Sequence, residues 1–414
     1  MKKGFINFIL PFTLFSFMGA FIKYINYFAN INLRWISSFF LLLAVIYEVK
    51  IINKFKKPEI FIHLILCIWL FLTTLWSSYT TITFYKSIAF TLVSLPIFLS
   101  ASHWAERKDL KYKLNFMMPC LLLSLVASIA GTIDTSISDF INLGSAFKVY
   151  SGIVGNPNAL GAIMLMTLPF CLWKLTISKK NIFKLFWITC TFITIITPFL
   201  AYSRSSIFGV IFLLIVYLLS RKKSKTIITL LALLSIFSIV FITFPSLDDF
   251  IINRYVYKSY DRDKSIIFSR AENWQASFEA AKQGGLLGSG FGVSIGSENV
   301  TLNSLSASAS GYGREKGNGV LAIIEESGLV GLTLATSFNF YLLLTVKRAY
   351  FITKNFLERT LLIILSGSFF AFSLLGVGEA YIVSPGTVEF AIYFAYLGAM
   401  SGFSRSLILK NRNK

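Results

Sequence analysis

Apolar runs of about 17–25 residues, each long enough to cross a lipid bilayer as a helix, recur along the whole chain. No water inside a bilayer can satisfy backbone N–H and C=O groups, so such runs must pair those groups within themselves. About twelve spans result, near 4–22, 34–49, 60–77, 86–102, 114–131, 152–175, 184–200, 205–220, 226–244, 319–346, 360–378 and 386–403. Only 14% of the residues are charged, where a soluble domain carries about a quarter. The predicted class is an all-α polytopic membrane protein. Lys2-Lys3 followed by an apolar stretch resembles a secretion signal, but no small-x-small cleavage site follows, so an uncleaved first helix is expected.

The basic residues set the topology. With the N-terminus in the cytoplasm, every second connector is basic: Lys50 to Lys57, Arg107 to Lys113, Lys174 to Lys184, Arg221 to Lys225 and Lys347 to Arg359. The C-terminus, with Arg405, Lys410, Arg412 and Lys414, falls on the same side. The formal net charge of +20 is therefore a topological signal and not a nucleic-acid footprint. The chain divides into transmembrane helices over 1–244, one large extracytoplasmic loop over 245–318 and a last transmembrane group over 319–414. Cys67, Cys120, Cys171 and Cys190 all fall inside spans, where they serve as small apolar packers.

The long loop carries pattern. Residues 266–282 read as an amphipathic helix with Arg270, Trp274 and Phe278 on one face, ended by Gly284 and Gly285. Gly288-Ser-Gly290-Phe-Gly292 suits a turn where backbone closely approaches a ligand or another element. Arg314-Glu315-Lys316-Gly317-Asn318 closes the loop, and the next span opens with Glu325 and Glu326 at membrane depth. Intramembrane acids are expensive and mark function by default. They are candidate proton acceptors with Glu315, or else they pair with Lys or Arg between helices. Asn156 and Asn158 flank Pro157 at the start of a span, where they cap the helix or line a site. Arg204 lies between two spans on the outer side, otherwise nearly free of basic residues. It either snorkels to the interface or holds an anion bidentately. Asp261-Arg262-Asp263 has metal-motif spacing, but its basic flanks mark a solvated charge run. The two histidines, His63 and His103, lie toward the cytoplasmic edge, so an outer base must be a carboxylate and a His-based metal site is out of reach.

The order of these motifs resembles the O-antigen ligase and O-antigen polymerase superfamily of bacterial membrane glycosyltransferases. Gly155-Asn156-Pro157-Asn158 comes first, then Ser203-Arg204-Ser205, then Arg270 and Trp274. Gly288-x-Gly290-x-Gly292 and Asn318…Glu326-x-Gly328-x-x-Gly331 follow. The resemblance implies a GT-C-like helical fold and a donor glycan on undecaprenyl diphosphate. It implies metal-independent, inverting transfer with no cofactor at the outer face of the inner membrane; the connector charges put both termini in the cytoplasm. Membrane lipids, and a chain-length regulator or flippase, are the further partners it implies. In that picture Arg204, Arg270, Arg314 and Lys316 hold the diphosphate. Glu315, Glu326 and Arg270 serve catalysis, and Asn156, Asn158, Trp274, Gly290 and Asn318 line the substrate.

Family ligases carry His-Asn where this chain has Gly317-Asn318. That departure favours a relative that joins repeat units, or one with another acceptor, over a ligase to the lipid A-core. Two readings of other classes remain open: a flippase for lipid-linked oligosaccharide, and an assembly scaffold.

Overall fold

The computed structural model describes residues 4–22, 32–49, 57–134, 150–221, 266–294 and 316–412, side chains excepted at 132–134 and 266–273. Among them are twelve α-helices and no strand. They are α1 Ile6–Gly19, α2 Asn32–Glu48, α3 Pro58–Leu72, α4 Thr80–Arg107, α5 Met118–Asp134, α6 Pro157–Ile177, α7 Asn181–Leu200, α8 Arg204–Ser220, α9 Ile266–Gly284, α10 Gly319–Ile352, α11 Phe356–Gly378 and α12 Val388–Arg412. Seven helices are long and apolar enough to cross a membrane, and α1 and α8 are shorter apolar helices. Eleven of the expected spans coincide with helices, and the expected span 226–244 lies outside the described residues. Helix α4 runs beyond the expected 86–102 at both ends, from Thr80 to Arg107. The amphipathic helix expected in the long loop is α9.

Lipid tails are as apolar as leucine, so helices in a membrane associate through close packing and polar contacts instead of the hydrophobic effect. The tightest seam joins α4 and α12. A Cβ added to Gly398 would sit 2.2 Å from the Phe98 carbonyl oxygen, and one on Gly402 2.0 Å from that of Ser102. The small residues at this spacing bring the two backbones into direct contact. Beside the seam, Phe90 meets the rings of Phe390 and Phe394 edge-on at 5.2 and 5.8 Å. His63 is buried among Phe90, Phe98, Phe338 and Phe394, with Nε2 2.9 Å from Ser94 Oγ. The four cysteines are buried and free.

Polar contacts sort the helix termini into two ends of the bundle. At one end, Glu48 of α2 accepts the backbone N–H groups of Phe5 and Ile6 at the start of α1. There Arg405 of α12 grips Glu59 of α3 bidentately, and Ser401 adds a 3.0 Å hydrogen bond to the same carboxylate. Lys57–Glu106 at 2.8 Å and Lys410–Glu358 at 2.9 Å join the same end, which carries the described basic connectors. At the opposite end Arg34 of α2 donates to the Gly386 carbonyl at 2.5 Å, just before α12 begins. The pairing of ends matches the alternation of basic and neutral connectors. All the described motif residues lie at the second end.

Candidate functional site

Helix α10 is broken at Gly328, where φ is 72° and ψ −176°. Such a break strips partners from the carbonyls before it and the amides after it, and lipid offers no replacement. The glycine-rich turn after α9 supplies them. Ser289 donates its N–H at 2.9 Å and its hydroxyl at 2.8 Å to the Glu325 carbonyl. Gly290 N–H reaches the Glu326 carbonyl at 3.1 Å, and Trp69 Nε1 the Ser327 carbonyl at 2.9 Å. In return, Leu329 and Val330 donate their N–H groups to Gly285 and Leu286 at 3.1 and 3.2 Å. Trp76 Nε1 donates to the Gly288 carbonyl at 3.0 Å, and Phe291 N–H to Thr73 Oγ1 at 3.1 Å. Broken helix and turn thus complete one another's hydrogen bonding.

Glycine is required at the crossing. Gly288 has φ 82°, and a Cβ there would lie 2.5 Å from the Glu326 carbonyl oxygen; one on Gly328 would lie 2.1 Å from that of Leu286. The close approach expected of this turn is to α10, to the residues just after α3 and to the start of α4.

Charge gathers just beneath the turn. Glu326 is fully buried. Lys316 Nζ lies 2.6 Å from Oε1, Lys86 Nζ 3.1 Å from Oε2, and Gly292 N–H 2.7 Å from Oε2. Lys316 Nζ also reaches the Val293 carbonyl at 2.9 Å and Glu325 Oε2 at 3.7 Å. The Lys86 ammonium stands over the Phe291 ring at 4.8 Å. Both oxygens of Glu326 are taken by donors, and Lys316 turns inward to meet them. Lys86 of α4 gives Glu326 the inter-helix pairing left open for it, and Lys316 meets both acids from the segment just before α10. Lys86 was missed. The signal was there: a lone cation at the outer edge of the fourth span, the feature that singled out Arg204.

A second group forms the rim. A Cβ on Gly161 of α6 would touch Ser203 at 2.4 Å, so the start of α8, with Arg204 at its first position, packs beside the start of α6. Asn158 Nδ2 donates to Glu379 Oε1, at the C-terminal end of α11, at 3.4 Å. Gly319 packs against the same end: its Cβ would lie 2.8 Å from the Gly376 carbonyl and 3.5 Å from that of Glu379. Rim and ion-paired cluster are linked by Lys316-Gly317-Asn318, whose Gly317 carbonyl accepts from Trp274 Nε1 at 3.1 Å. Glu379 is the other residue that motif reading passed over.

The sequence-predicted residues divide as follows. Asn156 and Asn318 are N-caps, each side chain accepting two backbone N–H groups at the start of α6 and α10. Asn158 contacts Glu379, Arg204 follows the Ser203 that packs on Gly161, and Trp274 donates to the carbonyl just before Asn318, while Gly290, Lys316 and Glu326 lie in the crossing and the cluster below it. Arg270 belongs to α9, one turn before Trp274, and its side chain is outside the described residues, as are Arg314 and Glu315. Asp261 and Asp263 also fall outside them. Among the described residues no three His, Cys, Asp or Glu side chains group as metal ligands.

The caps give a direct expectation. Asn156→Ala and Asn318→Ala should each lower stability by about 1 kcal/mol, and the serine variants should retain it. The thermal midpoint of purified protein reads this.

Residues 189–336 match the family model described as O-antigen ligase. The matched stretch holds Arg204, α9 with Arg270 and Trp274, the glycine turn, Lys316, Glu326 and the break at Gly328. It supports the O-antigen ligase and polymerase superfamily that the motif order implied. No curated protein matches the chain.

Proposed function

We propose that this chain, whose residues 189–336 carry the O-antigen ligase family match, is a glycosyltransferase. It takes a glycan from undecaprenyl diphosphate and polymerises or transfers surface polysaccharide at the outer face of the bacterial inner membrane. The fold is GT-C-like with about twelve spans, and both termini are cytoplasmic. The observation that carries the reading is that family match, over the stretch where the broken helix meets the glycine turn. The rim at the same end of the bundle lies opposite the basic connectors, the end that the charge alternation assigns to the exterior.

In this reading the diphosphate lies against the guanidinium groups of Arg204, Arg270 and Arg314. Guanidinium matches phosphate oxygens bidentately and offsets the charge that builds on a departing diphosphate. Lys316 and Glu326, drawn into one another with Lys86, hold the loop to α10. Trp274, Asn158 and Asn318 border the sugar. Transfer is inverting and needs neither metal nor cofactor. Joining of repeat units is favoured over ligation to lipid A-core because Gly317 stands where family ligases carry histidine. A chain-length regulator or a flippase is its further partner.

One observation favours a second reading. A broken helix with buried charges near the break is also a transporter feature, so a flippase for the same lipid-linked glycan is the rival. Two experiments separate them. Deletion should leave single-unit lipid-linked glycan at the outer leaflet; accumulation at the inner leaflet would instead identify the flippase. Arg204→Ala should abolish glycan assembly at normal protein level, and Arg204→Lys should restore little because a point charge does not replace a planar fork. Wild-type glycan length in Arg204→Ala would remove the arginine from the mechanism.

A further inference from the structure

Two leucines of the glycine turn stand out from the fold. Leu286 is 62% exposed and Leu287 47%. A single exposed leucine is ordinary, but a contiguous apolar patch is not. Trp76 donates Nε1 to the Gly288 carbonyl, which sets it against the turn, and its neighbour Leu75 is 79% exposed. On the other side Val330 N–H reaches the Leu286 carbonyl at 3.2 Å, which brings exposed Leu329 alongside.

The patch joins two stripes that face out of the bundle, on segments long and apolar enough to cross a membrane. On α3, exposed Ile68, Phe71 and Leu72 lead to Leu75. On α10, Leu329 leads to Thr333, Thr336 and Phe340 at helical spacing, all exposed. Thr333 and Thr336 donate their hydroxyls back to the carbonyls of Leu329 and Leu332 at 2.7 and 2.8 Å. That arrangement satisfies a hydroxyl where no water is at hand.

Depth is read against α4. From Thr80, Lys86 lies about 9 Å and Phe90 about 15 Å along the helix axis. A Cβ on Gly292 would touch the Lys86 side chain at 2.5 Å, and the Phe291 ring meets that of Phe90 edge-on at 5.5 Å. The turn therefore descends beside α4 instead of ending at its tip. Gly284 to Val293 carries no charged residue. Irregular backbone at membrane depth survives only where protein pairs its polar groups. The interlock with α10 does this, and Gly288 and Val293 donate within the turn, to Gly284 and Gly290 at 2.8 and 3.0 Å.

We propose that the glycine turn is a re-entrant element whose Leu286–Leu287 tip is immersed among the acyl chains of the leaflet at the rim end, at their boundary with the headgroups. Helix α9 is the polar half of the same unit. Its Glu279 and Lys282 pair at 3.1 Å, both more than half exposed, on the face that meets water. Amphipathic elements of this kind seat their apolar side about 5–10 Å into that boundary. The consequence is height: the tip sets the level at which α9 carries Arg270 and Trp274 over the bilayer. The inference needs only a membrane around the bundle. It goes beyond the glycosyl-transfer reading and holds equally for the flippase rival.

The test labels the full-length protein in proteoliposomes at single introduced cysteines. The four native cysteines are buried, and the unsubstituted chain gives the background. A charged, membrane-impermeant maleimide should modify Glu279→Cys readily. It should modify Leu286→Cys and Leu287→Cys little, as it does Leu75→Cys, until SDS unfolds the protein and all four label fully. Nitroxides at the same positions separate lipid from protein. Collisions with oxygen, which concentrates among acyl chains, should dominate at Leu286, Leu287 and Leu75, and collisions with a water-soluble nickel chelate at Glu279. Labelling of both leucine positions as fast as Glu279→Cys would overturn the proposal. So would exclusion of oxygen and nickel together, which marks a covering protein segment or a second copy. Leu287→Trp is the second variant, should a cysteine variant fold poorly. Lipid brominated near the headgroup end of its chains should quench the added fluorescence, and undiminished emission would equally overturn the immersion.

Discussion

Gly328→Ala is expected to unlock the crossing of α10 with the glycine turn and leave little folded protein. Two costs combine. The backbone at φ 72°, ψ −176° is a region essentially reserved for glycine, and a residue held in such a region costs of order 1–3 kcal/mol. The added Cβ would also stand 2.1 Å from the Leu286 carbonyl oxygen and 2.6 Å from Gly288 N. Neither contact is a flexible side-chain tip, so relief requires the two backbones to separate. Separation exposes the Glu325, Glu326 and Ser327 carbonyls and the Leu329 and Val330 amides, and an unpaired backbone group costs several kcal/mol in hydrocarbon. Gly285→Ala is the control. That glycine also has positive φ, at 55°, but its nearest neighbours would be 3.9 Å away. Its loss should be confined to about 1–2 kcal/mol of backbone strain. Thermal unfolding in nanodiscs compares the two; equal losses would mean that the interlock contributes nothing.

Glu326→Ala is expected to be the most damaging single change among the charged residues. It leaves the Lys86 and Lys316 ammonium groups facing one another in a largely buried site, with only Glu325 Oε2 at 3.7 Å from Lys316 Nζ to offset them. Removing one partner of a buried pair costs about 3–5 kcal/mol. Adding Lys86→Met should recover much of that, because the combination removes a cation with the anion. The residues are in direct contact at 3.1 Å, so a double-mutant cycle should show coupling of about 1–3 kcal/mol. The same double variant separates anchoring from proton transfer. An anchor predicts that stability and glycan assembly return together. Stability restored without assembly would return Glu326 to the reacting groups.

Much of the fold was legible because lipid imposes one rule on every span. Eleven apolar runs fall on helices, and the connector charges sort their ends as the side-chain contacts do. Asn156 and Asn318 were readable as caps, because capping depends on two or three residues in sequence. The glycine turn was readable as a point of close approach, but its target was not. Nothing in the order of residues says that Gly288 would cross Gly328, since that contact joins two segments separated by the close of the long loop. Lys86 and Glu379 escaped for a related reason. Each is a single charge at the edge of a span, where interfacial placement is the ordinary explanation. Only the arrival of Glu326 from α10 and Asn158 from α6 gives them a different meaning. Conversely, Glu326 stood out in the sequence because a buried acid is costly, and the structure places two cations against it.

The Glu326 carboxylate also joins two stretches of chain that are distant in sequence. It accepts Gly292 N–H from one side and the Lys316 ammonium from the other, and Lys316 reaches back to the Val293 carbonyl. Gly292 and Lys316, well apart in sequence, are thereby tied to one carboxylate. Once ends are pinned, doubling the length between them costs only about 0.6 kcal/mol of closure entropy. An insertion between these two positions is therefore cheap in closure entropy for as long as the contacts to Glu326 persist.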